Sequence, residues 1–229
     1  MRLTVGFLLR EVRVPKKDDV RRFAVALALA VGLAAQAQAF ILACLGDSNT
    51  DPGHQAFLEQ TGWCELIAAR YPDWTVVNYA LVWSTAVARC ESQNIYQVFC
   101  GDGPQGQMAT ALAQVHPDLV IAAFGTNDIV SGYSAAAVLE AYVDMASMAD
   151  SNGAGFLPAL TPPTEDGTYA DAIAALNDVI RSAFPSTVDF FSHFRPFEYA
   201  DPLHLNARGQ RHRYWAARRA IRRWQGGHA

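Results

Sequence analysis

Two stretches, Phe40 to Leu45 and Leu119 to Phe124, are apolar at every position. Runs of this length without a polar break predict β-strands covered on both faces. Shorter runs predict further strands over 74–79, 154–160 and 187–191. Between them the apolar positions recur every three to four residues, which predicts helices over 54–70, 105–116, 134–150, 168–184 and 207–224. Strand–helix alternation of this kind predicts a three-layer αβα sandwich around a mostly parallel, five-stranded sheet. The punctuation agrees: Pro117 precedes the third strand, Gly153 the fourth, and Pro162-Pro163 follows it. Asn206 stands where it would cap the last helix.

Composition adds a charge asymmetry. The chain of 229 residues carries a formal charge of −4, but residues 1–39 hold seven Lys/Arg against three Asp/Glu, leaving −8 for the remainder. A domain so acidic is a poor nucleic-acid binder, because neutralising phosphates requires clustered cations. One basic cluster exists, the arginines between Arg208 and Arg223. It reads either as a solvated terminal helix or as a surface for an acidic partner or membrane. Length and apolar content otherwise suit one globular domain over 40–229.

The front of the chain reads as a targeting segment. Arg21-Arg22 precedes an apolar run from Phe23 to Ala35, and Ala37-Gln38-Ala39 supplies a small-residue cleavage site. Residues 1–39 are therefore expected to be a signal-peptide region, with the polar stretch before Val20 an over-annotated start. Cleavage near Ala39 would deliver a secreted or periplasmic protein. An uncleaved anchor or a lipoprotein cut at Cys44 conflicts with the need for a strand before Ser48. Export permits disulfides. Cys90 and Cys100 flank a nine-residue polar and aromatic loop and are expected to pair. Cys44 on a core strand and Cys64 on an amphipathic helix either pair or serve as small buried hydrophobes. No Cys/His spacing implies a metal, and no cofactor is expected.

Candidate chemistry lies at the strand ends, where open α/β sheets bind ligands. Gly46-Asp47-Ser48-Asn49 follows the first strand, Gly125-Thr126-Asn127-Asp128 follows the third, and Asp201-Pro202-Leu203-His204 comes late. A serine needs a base to become nucleophilic, the base needs an orienting acid, and an oxyanion needs donors. With these three blocks in this order, the chain resembles the SGNH hydrolases, or GDSL esterase/lipase family, over roughly residues 40 to 225. The resemblance implies the flavodoxin-like SGNH fold, with Ser48 as nucleophile, His204 as base and Asp201 as its orienting acid. It also implies three oxyanion donors: the Ser48 N–H, the Asn127 amide and a backbone N–H after the second strand. Asp128 is expected to brace its loop. The other histidines, His54, His116, His193, His212 and His228, lack this block context and default to structural or surface roles, with His193 the next candidate for the pocket.

The chain departs from the family at the third donor. Members usually carry Asn-x-Gly-x-x-Gly there, whereas this chain has Asn78-Tyr79-Ala80-Leu81-Val82-Trp83. Trp83 would be strained if positive φ is required, yet its N–H would still donate and its indole would wall the acyl pocket. Trp83, Tyr96, Phe99 and Tyr133 suggest either an aromatic substrate rim, suited to an acyl, aryl or sugar group, or aromatic packing beneath long loops. The expectation is an exported, monomeric serine esterase for small-molecule carboxylic or thioesters of short to medium acyl chains. The alternatives are a carbohydrate acetylesterase of the same family, or a catalytically weak ligand-binding member.

Overall fold

The computed structural model describes residues 39–87 and 104–227. Tyr96, Phe99, the expected Cys90–Cys100 bridge and the targeting segment up to residue 38 lie outside the described residues.

Four strands form one parallel sheet in the order β2-β1-β3-β4: β1 (Ile41–Gly46), β2 (Thr75–Asn78), β3 (Leu119–Ala123) and β4 (Gly155–Pro158). The helices are α1 (Pro52–Phe57), α2 (Trp63–Arg70), α3 (Pro104–Val115), α4 (Thr126–Val130), α5 (Ala135–Ser151), α6 (Ala170–Ala183) and α7 (Ala207–Gly227). Successive strand residues face opposite layers, and both layers are apolar. Ala43, Leu45, Val120 and Ala122 pack with Met108, Val138, Tyr142 and Leu176 from α3, α5 and α6. Leu42, Cys44, Leu119 and Ile121 pack with Trp63, Ile67, Ala217 and Ile221 from α2 and α7. This accounts for the unbroken apolar runs. A strand with two dry faces has no position left for a polar side chain.

The structure corrects three expectations. Among the described residues the sheet has four strands, not five. Around the expected fifth strand, only Val188 bridges in parallel to Ala159, with Val188 N donating to Pro158 O at 2.9 Å and Leu160 N to Val188 O at 2.9 Å. The Asp189 carboxylate then accepts from the N–H groups of Phe191 and Ser192, which turns the chain away. The expected helix over 54–70 is two helices, broken where Glu59 takes a positive φ of 53° and Gly62 restarts the chain as N-cap of α2. The Gly125–Asp128 block, expected to form a loop around Asp128, opens the short helix α4 with Gly125 as its N-cap.

Local chemistry sets the helix starts. Asp51 caps α1 by accepting from His54 N at 2.6 Å, with Pro52 at the first helical position. Ser134 caps α5 through Ala137 N. Asn206 caps α7 as expected, accepting from Arg208 N at 2.8 Å and Gly209 N at 3.3 Å. The cysteine question resolves toward pairing: Cys44 of β1 and Cys64 of α2 form a disulfide, their Cα atoms 6.5 Å apart. Among the described residues no helix is long and apolar enough to cross a membrane.

Candidate active site

Strand order places the chemistry. The chain leaves β1 toward β2 on one side and resumes at β3 on the other, so a crevice opens beyond the carboxyl ends of β1 and β3. Gly46 and Ala123 are register partners there, which brings the turn after β1 beside the turn after β3. Both turns open with glycine for steric reasons. A Cβ on Gly46 would lie 2.7 Å from Ala123 O, and one on Gly125, at φ 120°, would lie 2.1 Å from Thr161 Oγ1.

Ser48 Oγ lies 3.0 Å from His204 Nε2, and His204 Nδ1 lies 2.7 Å from Asp201 Oδ2. Burial acts to raise the Asp201 pKa, but the Leu203 N–H, the His204 ring and the His204 N–H outweigh it, and the carboxyl is held below its usual range. Asp201 is therefore ionised and fixed at both oxygens. Such a relay can accept the Ser48 proton at Nε2 and stabilise the resulting imidazolium.

Residues 156 positions apart are registered by Asn49. Its amide donates to Leu203 O at 3.1 Å and its Oδ1 accepts from Leu205 N at 3.2 Å, stitching the serine turn to the histidine turn. Beneath it lies a buried polar network that sequence reasoning missed. Gln55 Nε2 donates to Ser48 O at 2.7 Å, and Gln210 Nε2 donates to Asn49 O at 3.0 Å. Arg213, 1% exposed, donates to Asn49 O and, at 3.2 Å, to Thr50 Oγ1. Its guanidinium lies 4.3 Å from the Phe190 ring centroid. Asp47 is buried in the same region. Desolvation pushes its pKa up to about 6, against the opposing pull of Arg213 and the Asn49 N–H. The one sequence signal for this network is an arginine on the apolar face of the last helix.

On the other side of Ser48, Gln107 accepts from Gly46 N at 3.0 Å and donates to Ser84 Oγ at 3.0 Å. Asn127 Nδ2 donates one hydrogen to Ser84 O at 3.0 Å, which aims the planar amide and leaves its second N–H to point elsewhere. Asp128, expected to brace its own loop, lies in α4 and instead holds the segment after Trp83, its carboxylate accepting from Ala86 N and Val87 N at 2.9 Å each. Trp83 precedes Ser84 on this clamped loop, with φ 63° and half its surface exposed. Tyr133 lies between α4 and α5, packed against the apolar core. A cavity of 410 Å³ lies between the start of α1, the chain after β2 and α3, lined by Asp51, Pro52, Tyr79, Leu81, Gln107 and Thr110 among others, with neither Ser48 nor His204 in its wall.

His54, expected in a structural or surface role, lies beside His204 instead. Its ring centroid lies 4.4 Å from that of His204. Its Nε2 is buried without a hydrogen-bond partner among the described residues. No pattern marks it, because the proximity is created by the turn of α1 and not by spacing. Phe57, one turn on and 79% exposed, extends this side of the rim. Of the remaining histidines, His212 meets Glu198 at 3.3 Å and stacks on Phe194, a structural role.

A parallel αβα sheet with a serine, an imidazole and a carboxylate hydrogen-bonded in series at its β1/β3 crevice is the architecture of a hydrolase. Residues 44–212 match the model of the GDSL-like Lipase/Acylhydrolase family, and the chain belongs to that family, a carboxylic ester hydrolase of the GDSL type. Solved structures share the fold. One is a member of the lipolytic G-D-S-L family from Veillonella parvula (19% identity, 81% of this chain and 100% of that one, TM-score 0.60). A second is the psychrotrophic esterase EstA from Pseudoalteromonas sp. (16%, 81% and 98%, 0.59). A third is a carbohydrate esterase family 3 protein from Talaromyces cellulolyticus (15%, 81% and 97%, 0.60). No curated protein sequence matches the chain.

Proposed function

We propose that the protein is an exported serine esterase that cleaves carboxylic or thioesters of short to medium acyl chains through a Ser48 acyl-enzyme. The observation that carries this reading is the continuous relay Ser48–His204–Asp201, with links of 3.0 and 2.7 Å. His204 Nε2 takes the Ser48 proton as Oγ attacks the ester carbon. The tetrahedral oxyanion is met by the Ser48 N–H, the free N–H of the Asn127 amide and the Trp83 N–H. Collapse expels the alcohol or thiol, which receives the proton from His204. Water then attacks the acyl-enzyme with His204 again as base, releasing the acid and restoring Ser48.

The Trp83 assignment is supported by its backbone. A tryptophan held at φ 63° occupies the conformation that glycine favours, which fits a position where the family usually carries glycine. This also argues against a catalytically weak binding member. Export is supported by the Cys44–Cys64 bridge, since structural disulfides persist mainly in oxidising compartments. A second reading, a carbohydrate acetylesterase, is favoured by the exposed Trp83 indole, which suits stacking on a sugar ring.

Fluorophosphonate labelling with peptide mapping tests the nucleophile, and adduct on any residue but Ser48 would overturn it. An ester panel varied in acyl length and alcohol separates the two substrate readings. Activity confined to acetylated sugars selects the second. The N-terminal sequence of exported protein tests processing, with Phe40 or a near neighbour expected first.

A further inference from the structure

Helix α7 buries one face against β1, β3 and α2 through Ala216, Ala217, Ala220 and Ile221. What it presents to solvent is chemically uniform. Apart from Ala207 and the terminal glycines, every exposed residue is an arginine or a tryptophan: Arg208, Arg211, Arg219, Arg222 and Arg223 around Trp215. The helix contains no Asp or Glu. At 3.6 residues per turn these positions and Arg218 fall within an arc of about 140°, with Trp215 near its middle.

Three further observations bear on what the face does. Among the described residues no carboxylate lies within 4.0 Å of these guanidinium groups; the ion pairs there join Arg181 to Asp178, His204 to Asp201 and His212 to Glu198. The cations are instead interleaved with rings. Arg218 lies 5.1 Å from the Trp215 centroid, and Arg208 lies 5.5 Å from that of Phe197, itself 52% exposed. The residues from 40 onward nonetheless sum to −8, so the positive charge is concentrated on this one face.

We propose that this face of α7 docks the enzyme peripherally on an anionic lipid bilayer. Guanidinium groups pair with phosphate in a planar, two-point geometry. An indole prefers the headgroup region, where an apolar ring and a polar N–H are both satisfied. The apolar side of α7 is committed to the protein core, so the contact is a surface one held by charge and anchored by Trp215, not an insertion. A nucleic-acid backbone would use the arginines but offers no apolar boundary for the central tryptophan. The inference rests on the face of α7 and not on the substrate reading above.

The test is flotation of the folded chain with vesicles of phosphatidylcholine alone or mixed with phosphatidylglycerol. Binding to the anionic vesicles is expected to be at least about tenfold stronger and to fall with added salt. Tryptophan emission should shift blue on binding, and Trp215→Ala should remove that shift. The triple variant Arg219→Gln, Arg222→Gln, Arg223→Gln should lose about tenfold in binding while keeping its thermal midpoint and its turnover of a soluble ester. Equal binding to both vesicle types, or an unaltered affinity in the triple variant at normal stability, overturns the proposal. So does tight binding to duplex DNA with none to anionic vesicles.

Discussion

The imidazole of His54 lies 4.4 Å, centroid to centroid, from that of His204, at an interplanar angle of 43°. A neutral ring in that position supports a developing imidazolium through its π face, whereas a protonated one repels it. Burial first, and then the charge of His204, lower the His54 pKa, against the opposing influence of Asp51 and Asp201. His54 thus stays neutral into more acidic conditions than an ordinary histidine. Its folded pKa being lowered, it favours the folded state above the ordinary imidazole range, and that contribution is lost as pH falls through the folded value.

The acid limb of kcat/KM should therefore be steeper than a single protonation, because both imidazoles must be neutral. His54→Phe keeps a ring without a second titration and should return the limb to one proton. His54→Ala should lower kcat about two- to fivefold at neutral pH, the scale of an exposed cation–π contact. Superimposable pH profiles for all three proteins would remove His54 from catalysis.

Ser48→Ala and His204→Ala should each reduce ester turnover by about 10⁴–10⁶. Asp201→Asn should cost about 10³–10⁴, since the imidazole loses its orienting charge. All three should keep a near-normal thermal midpoint. Near-normal turnover by Ser48→Ala would sink the nucleophile assignment.

Trp83 is half exposed and carries positive φ, so Trp83→Gly should leave no cavity and should relieve about 1 kcal/mol of backbone strain. Turnover should stay within about tenfold because the N–H donor survives, while KM rises for apolar acyl groups. Calorimetry and an acyl panel on the same variant check this. A lowered midpoint with unchanged selectivity would detach Trp83 from the site.

Arg213→Met should destabilise the fold by about 3–5 kcal/mol, because Asp47 is left buried without its cation and the serine turn loses two donors. The sign with pH follows from Asp47. Its folded pKa, already raised to about 6, should rise further, so the fold favours its protonated form. The penalty should be smallest below about pH 4 and grow as pH rises through the folded value. Urea denaturation across that range measures it, and Asp47→Asn in the same chain should recover part of the loss. A penalty independent of pH would refute the coupling.

Reduction of the Cys44–Cys64 bridge, or Cys64→Ala, should cost about 2–4 kcal/mol, as expected for the cross-link of a short loop. Non-reducing peptide mapping should recover the two cysteines in one linked peptide pair. Free thiols at both positions in protein purified without reductant would contradict the structure.

The sequence by itself determined the sandwich and the three functional blocks. Strands with two dry faces must be apolar throughout, and the active turns must begin with glycines where the backbone crowds Ala123 and Thr161. These are local constraints, written in consecutive residues. The position of Asn206 as a cap was legible for the same reason.

What the tertiary structure alone decided are relationships across long separations. Asn49 joining the serine and histidine turns, Arg213 beneath the Ser48 turn, and the Cys44–Cys64 bridge all link residues whose spacing carries no period. The fifth strand failed because Asp189 turns the chain after one bridge, a competition between a side-chain turn and a ladder that apolar pattern does not register. His54 looked like an ordinary polar helix residue. It comes against the ring of His204 only because Asp51 caps α1 where that turn meets it.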